Sequence, residues 1–181
     1  FNIYETYKGK SLLLIDVLEG GRVFYDKVLN RLKKINTEVG QNGYAQVALT
    51  GSTLKAESYA GTGAVNKPRI SEDLVDEYGN EVRDLSKYDA VLILDDIFDT
   101  GETIRYIMEE YLQSPRFTEK AKEISVNFLF DKATPLRTKD MDKWAKKYNK
   151  LRNGFSIPYW FIVGGNLDMK LRGENGTPPL H

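Results

Sequence analysis

The chain has 181 residues, 41% hydrophobic and 29% charged, and its 26 basic and 26 acidic side chains cancel; it is long enough for one domain with a real core, and the balanced charge gives no overall pull toward nucleic acid or a membrane surface. Zero cysteines exclude disulfides, Cys zinc sites and thiol catalysis and fit a cytoplasmic, reducing setting, while no apolar run approaches the roughly 20 residues of a membrane span. The one histidine is the last residue, His181, so acid–base chemistry and metal ligation fall to carboxylates.

Phe1-Asn2-Ile3-Tyr4-Glu5 shows no basic-then-apolar signal pattern, and without an initiator Met part of the natural N-terminus is expected to be missing. Residues 11–18 read as a buried strand that Glu19-Gly20-Gly21 ends. Residues 22–35 read as a helix, with Val23, Phe24, Val28, Leu29 and Leu32 on one stripe. Residues 46–50 form a short strand. Residues 51–72, with three glycines, small polar residues and one proline, read as a long mobile loop with at most short strand pieces. Residues 76–81 are a turn. A strand over 90–94 and a helix over 102–113 follow, then a strand over 124–130 and an exposed, charged helix over 138–149. Pro158 precedes the apolar run 159–163, and residues 172–181 read as irregular. Strands alternating with helices predict an α/β fold with a mostly parallel central sheet flanked by helices. In such sheets ligands bind beyond the C-terminal strand ends; Glu19-Gly20-Gly21, Asp95-Asp96, Asp131-Lys132 and the residues from Gly164 onward all lie there.

The most informative stretch runs from Val91 to Thr103. Four apolar residues suit a parallel strand covered on both faces. Two carboxylates close it, Gly101 permits a positive φ, and Thr103 opens a helix whose Ile104, Ile107, Met108 and Tyr111 share a stripe. A helix N-terminus with threonine hydroxyls attracts an anion. Acids just before it repel a bare phosphate but suit a ligand that also carries hydroxyls or a metal, such as a sugar phosphate.

The segment resembles the phosphoribosyl-diphosphate (PRPP) signature of the type I phosphoribosyltransferases. Further along, Asn153-Gly154-Phe155-Ser156-Ile157-Pro158 and Phe161-Ile162-Val163-Gly164-Gly165-Asn166-Leu167-Asp168 resemble the hypoxanthine(-guanine) branch, as do Tyr7-Lys8-Gly9-Lys10 and Leu18-Glu19-Gly20-Gly21. The resemblance implies a single domain over 1–181, with a core over about 8–150 and a small C-terminal hood from about 151–181. It implies PRPP binding by Asp95, Asp96, Asp99, Thr100, Gly101, Glu102 and Thr103, with Asp99 as general base. It places pyrophosphate at Glu19, Gly20 and Arg172, and a lid at Ser58-Tyr59. The purine falls to Lys132, Phe161, Ile162 and Asp168, and Mg²⁺ to Asp168 with Asp95 and Asp96. Lysine only donates, so Lys132 would select a 6-oxopurine over a 6-aminopurine. Departures from the family are Glu19 in place of a common lysine, Gly165 and Met169 in place of aromatics, and a four-residue interval from Asp168 to Arg172 where six is usual.

The implied reaction moves the phosphoribosyl group from PRPP to N9 of hypoxanthine, and of guanine or xanthine as rival bases, for purine salvage in a homodimer or homotetramer. A PRPP-sensing regulator with little transferase activity, like the pyrimidine attenuation proteins, is the alternative, and a catalytically decayed relative is a third reading.

Overall fold

The computed structural model describes residues 3–18, 20–58, 68–132, 134–135, 137–148 and 155–157. A short helix, α1 (Ile3–Tyr7), leads into β1 (Ser11–Leu18), α2 (Arg22–Gln41), β2 (Ala48–Ser58), β3 (Pro68–Asp76) and β4 (Ala90–Phe98). Then come α3 (Glu102–Tyr106), a π-helical turn (Ile107–Tyr111), β5 (Ile124–Lys132), α4 (Lys139–Tyr148) and β6 (Phe155–Ile157). The strands form one sheet in the order β3-β2-β1-β4-β5-β6. Only the β2–β3 pairing is antiparallel; the other four are parallel.

Alternation along the strands splits the core into two layers. Leu13, Ile15 and Val17 of β1 share one layer with Val91 and Ile93 of β4, Ile104 and Ile107 behind them, and Met141 of α4. Leu12, Leu14, Leu92 and Leu94 face the other way, onto Ile3 and Tyr7 of α1 and Tyr25 and Leu32 of α2. Leu12 through Ile15 and Val91 through Leu94 are fully buried, as a parallel strand sandwiched between helices requires. Two polar contacts lie inside: the Tyr7 hydroxyl meets Ser125 Oγ at 2.7 Å, and Ser52 Oγ donates to the Leu14 carbonyl at 3.0 Å.

β1 spans the residues its pattern predicts. Helix α2 runs on to Gln41, where Asn42 and Gly43 close it. The expected loop over 51–72 is corrected: residues up to Ser58 and from Pro68 are strands that pair as a hairpin, with Ser58 opposite Pro68. In its outer strand only Leu74 is buried and the rest are half-buried or exposed, so backbone pairing, which leaves no mark on hydrophobic periodicity, makes it a strand. The expected helix over 102–113 is also corrected: after Tyr106 it widens, and the Leu112 N–H donates to the carbonyl of Ile107 at 2.9 Å, five residues back. The 76–81 turn is present, with Gly79 at φ +82° and Asp76 Oδ1 accepting from the N–H groups of Tyr78 and Asn80. Beyond β6, the hood lies outside the described residues.

From β1 the chain passes outward to β2, and from β4 it passes outward the other way to β5. The strand order therefore reverses between β1 and β4, and the crevice at their carboxyl ends is where α/β sheets bind ligands.

Candidate active site

Asp95 and Asp96 end the buried part of β4 at this crevice. Successive residues point to opposite faces, so Asp96 continues the Leu92–Leu94 row toward α2 while Asp95 lies on the α3 side. Each carboxylate accepts from the next backbone N–H: Asp96 N to Asp95 Oδ1 at 2.9 Å and Ile97 N to Asp96 Oδ1 at 2.8 Å. Desolvation, reinforced by the negative charge of Asp96, raises Asp95 well above the usual carboxylate range.

Gly20 passes directly over Asp96; a side chain at that position would run into its carboxylate. Gly21 is as tightly held, its would-be Cβ 3.0 Å from the Val17 carbonyl and 3.2 Å from Asp16 Oδ1. Asp16 went unremarked in the sequence, where it sits inside an apolar run. It is completely buried, and its Oδ1 has no hydrogen-bond partner among the described residues. Burial pushes its pKa up to about 6, although the Arg22 guanidinium, 3.4 Å from Oδ2, pulls the other way. A charged residue interrupting a both-faces-buried strand was the available signal.

The next turn is built for close approach. Gly101 adopts φ +84° as the residue capping α3, and a Cβ there would lie 2.6 Å from the Phe98 ring and 2.7 Å from the Met141 sulfur. Only glycine meets both demands. The Arg105 N–H donates to the Gly101 carbonyl at 3.0 Å, starting the helix. Thr100 Oγ1 lies 3.5 Å from the Glu102 N–H; Glu102 is exposed and Thr103 half-buried.

Asp99 and Lys132, 33 positions apart, are brought together: Lys132 Nζ donates to Asp99 Oδ2 at 2.7 Å. The other Asp99 oxygen is buried with no hydrogen-bond partner among the described residues. Arg137, which the sequence did not single out, reaches the same seam. It donates to Asp131 Oδ1 at 2.6 Å and to the Phe98 carbonyl at 3.3 Å, and its Nε is 2.9 Å from Asp142. Ser58 ends β2 at the same edge of the sheet. Glu19, Tyr59, Phe161, Ile162, Asp168 and Arg172 lie outside the described residues.

This arrangement joins an acid pair at a topological switch point to a left-handed glycine turn that opens a helix, and residues 1–168 match the phosphoribosyl transferase domain. The chain belongs to that family. It is 29% identical over 168 residues to the hypoxanthine-guanine-xanthine phosphoribosyltransferase of Plasmodium falciparum, a match covering 93% of this chain and 63% of that protein. The chain thus spans a little under two thirds of that relative's length. It is 30% identical over 167 residues to the hypoxanthine-guanine phosphoribosyltransferase of Staphylococcus aureus, covering 92% of this chain and 74% of the relative. A crystal structure of a hypoxanthine phosphoribosyltransferase from S. aureus superposes with a TM-score of 0.60 at 26% identity, covering 94% of this chain and 76% of that one. The fold is that of the type I phosphoribosyltransferases. Among the described residues no helix is long and apolar enough to cross a membrane.

Proposed function

We propose that the protein transfers the 5-phosphoribosyl group of PRPP to N9 of a 6-oxopurine, releasing pyrophosphate, and that it serves purine salvage. The observation that carries this reading is the acid pair Asp95-Asp96 followed by the Gly101 turn, set where β1 and β4 diverge. On this reading the 5′-phosphate rests on the N–H groups of residues 99–103 and the hydroxyls of Thr100 and Thr103, with Glu102 in the same loop. Asp95 and Asp96 accept from the ribose hydroxyls. Gly20, which leaves no room for a side chain against Asp96, lets diphosphate oxygens approach the backbone beside Glu19, with Arg172 as the further pyrophosphate contact.

Asp99 and Lys132 carry the base. A carboxylate acceptor and an ammonium donor 2.7 Å apart match an N7–H donor beside an O6 acceptor on one purine edge. A 6-amino group would set a donor against the lysine. As the bond to the diphosphate breaks with oxocarbenium character, much as in glycoside cleavage, Asp99 takes the purine N7 proton while N9 joins C1′ of the ribose. Phe161 would stack on the purine, Ile162 would meet its edge through the backbone, and Ser58-Tyr59 would close over the centre to exclude water.

Mutual repulsion within the Asp95–Asp96 pair is what a hard divalent cation relieves, so these oxygens fit Mg²⁺, which keeps several waters and takes its remaining ligands from substrate. Asp95, Asp96 and Asp168 would hold it. When bound, it neutralises charge gathering on the diphosphate. The same reading makes residues 1–181 one domain, acting in the cytoplasm as a homodimer or homotetramer.

One observation favours a second reading, a PRPP-binding regulator with little turnover: Asp16 adds a buried acid beneath Gly20-Gly21, where the diphosphate is expected. Incubating the protein with PRPP, Mg²⁺ and hypoxanthine, guanine, xanthine or adenine decides between them. Nucleotide should form with one or more of the 6-oxopurines and not with adenine. PRPP binding with no nucleotide from any base would favour the regulator.

A further inference from the structure

We propose that Arg137 is a positioning residue that sets the spacing of Asp99 and Lys132 by holding the residue in front of each. Its Nη1 donates at once to the carbonyl of Phe98, at the end of β4, and to Asp131 Oδ1, near the end of β5. Asp99 follows Phe98 and Lys132 follows Asp131. One nitrogen therefore bridges the two strand ends just before the two side chains that meet at 2.7 Å.

The guanidinium is itself fixed. It lies over the Phe98 ring, 4.6 Å from the centroid, and that ring stacks on Phe128 of β5, with centroids 4.7 Å apart. Asp142 of α4 holds the Nε side, and only 13% of the side chain is exposed. Charge-assisted bonds this short in a half-dry setting constrain geometry more than exposed ones do. Lysine cannot replace this group, because an ammonium lacks the planar fork that reaches several acceptors while stacking on a ring. In the β4–β5 pairing Ile97 lies opposite Phe130 and Phe98 opposite Asp131, where the ladder ends. Arg137 ties this last pair together, one residue before Asp99 and Lys132.

The inference rests on the reading of Asp99 and Lys132 as the groups that meet the purine, but its primary test does not need turnover. Reductive dimethylation of the native protein, read by peptide mass spectrometry, measures how firmly Lys132 is held, with exposed Lys143 as internal control. In Arg137→Met the labelling rate of Lys132 should rise about three- to fivefold, the scale of a loosened partly buried ion pair, while Lys143 stays constant. Arg137→Lys, which keeps the charge and is the better-folding variant, should give the same rise. Asp142→Asn, which frees only the α4 side, should leave Lys132 unchanged. In turnover, Arg137→Met should lower kcat/KM for the purine by ~10–100-fold, as a slight misplacement of reacting groups does. It should leave KM for PRPP within about twofold and add little once Lys132→Met is present, because residues acting through one contact are not additive. Unchanged Lys132 labelling in both Arg137 variants, or full multiplication of the Arg137 and Lys132 effects, overturns the proposal. A wild type that converts no purine, with Lys132 labelling still rising, overturns the functional reading alone.

Discussion

The two sides of β4 handle negative charge differently. Toward β1, Asp16, Asp95 and Asp96 crowd one another, and Asp95 and Asp16 are both raised. Toward β5, Asp99 is met by Lys132 and Asp131 by Arg137 at 2.7 and 2.6 Å. A seam whose acids have protein cations at contact distance keeps its shape without a ligand. A crevice whose acids are raised chiefly by burial, and further by one another, is relieved when hydroxyls or a cation enter. On the proposed reading, the contrast separates a half for the sugar and metal from a half already set for the base.

The largest expected effect lies on the matched side. Asp99→Asn should cut turnover by roughly 10²–10⁴-fold, the usual size of general-base catalysis, while PRPP binding holds; an unchanged kcat would remove Asp99 from the mechanism.

On the crowded side, Asp16 should reveal itself in stability. Its folded pKa of about 6 exceeds the ordinary 3.8, so between those values the folded state holds a proton that the unfolded state has lost. Stability therefore falls as pH rises from about 4 to about 6 and then levels off. A rise of about two units corresponds to about 2–3 kcal/mol. In metal- and ligand-free protein, Asp16→Asn should gain that much at pH 8 and almost nothing at pH 4 in urea unfolding. An equal effect at both pH values would show that Asp16 is not held as an unwelcome charge.

The smallest effect sharpens the same contrast. In Gly20→Ala the new methyl group should push the Asp96 side chain aside at little cost in melting temperature. Calorimetry should show ribonucleotide affinity falling by roughly tenfold, less than the ~10²-fold that a 1 Å misplacement can cost. Unaltered affinity would mean that Asp96 does not touch the ribose.

Much of this architecture was legible in the residues. β1 and the β4 signature are continuous apolar runs ending in acids and glycines, and their local chemistry already demands the turn found at Gly101. The β2–β3 hairpin was not legible, because Leu54 is the only large apolar side chain between Gly51 and Ser58 and the ladder is made by backbone groups. Asp16 was hidden by its apolar neighbours, although a charge inside such a run is itself a signal. Asp99 and Lys132 were each named for a role, but their contact joins two strand ends and needs the sheet order to be seen. Arg137 lies outside every motif on which the family resemblance rests, and nothing in its local sequence announces three partners.

The widened turn at residues 107–111 reaches beyond its own helix. Tyr111 is carried to where its hydroxyl accepts the buried N–H of Leu74 at 3.0 Å, in the outer strand of the hairpin. A phenol thus stands in for a missing neighbour strand, and the arm carrying Ser58 is moored to the helix that starts at Gly101. Phenylalanine there would strand that amide without an acceptor, at a cost of about 1–3 kcal/mol, and cut the arm loose from the glycine turn that follows β4.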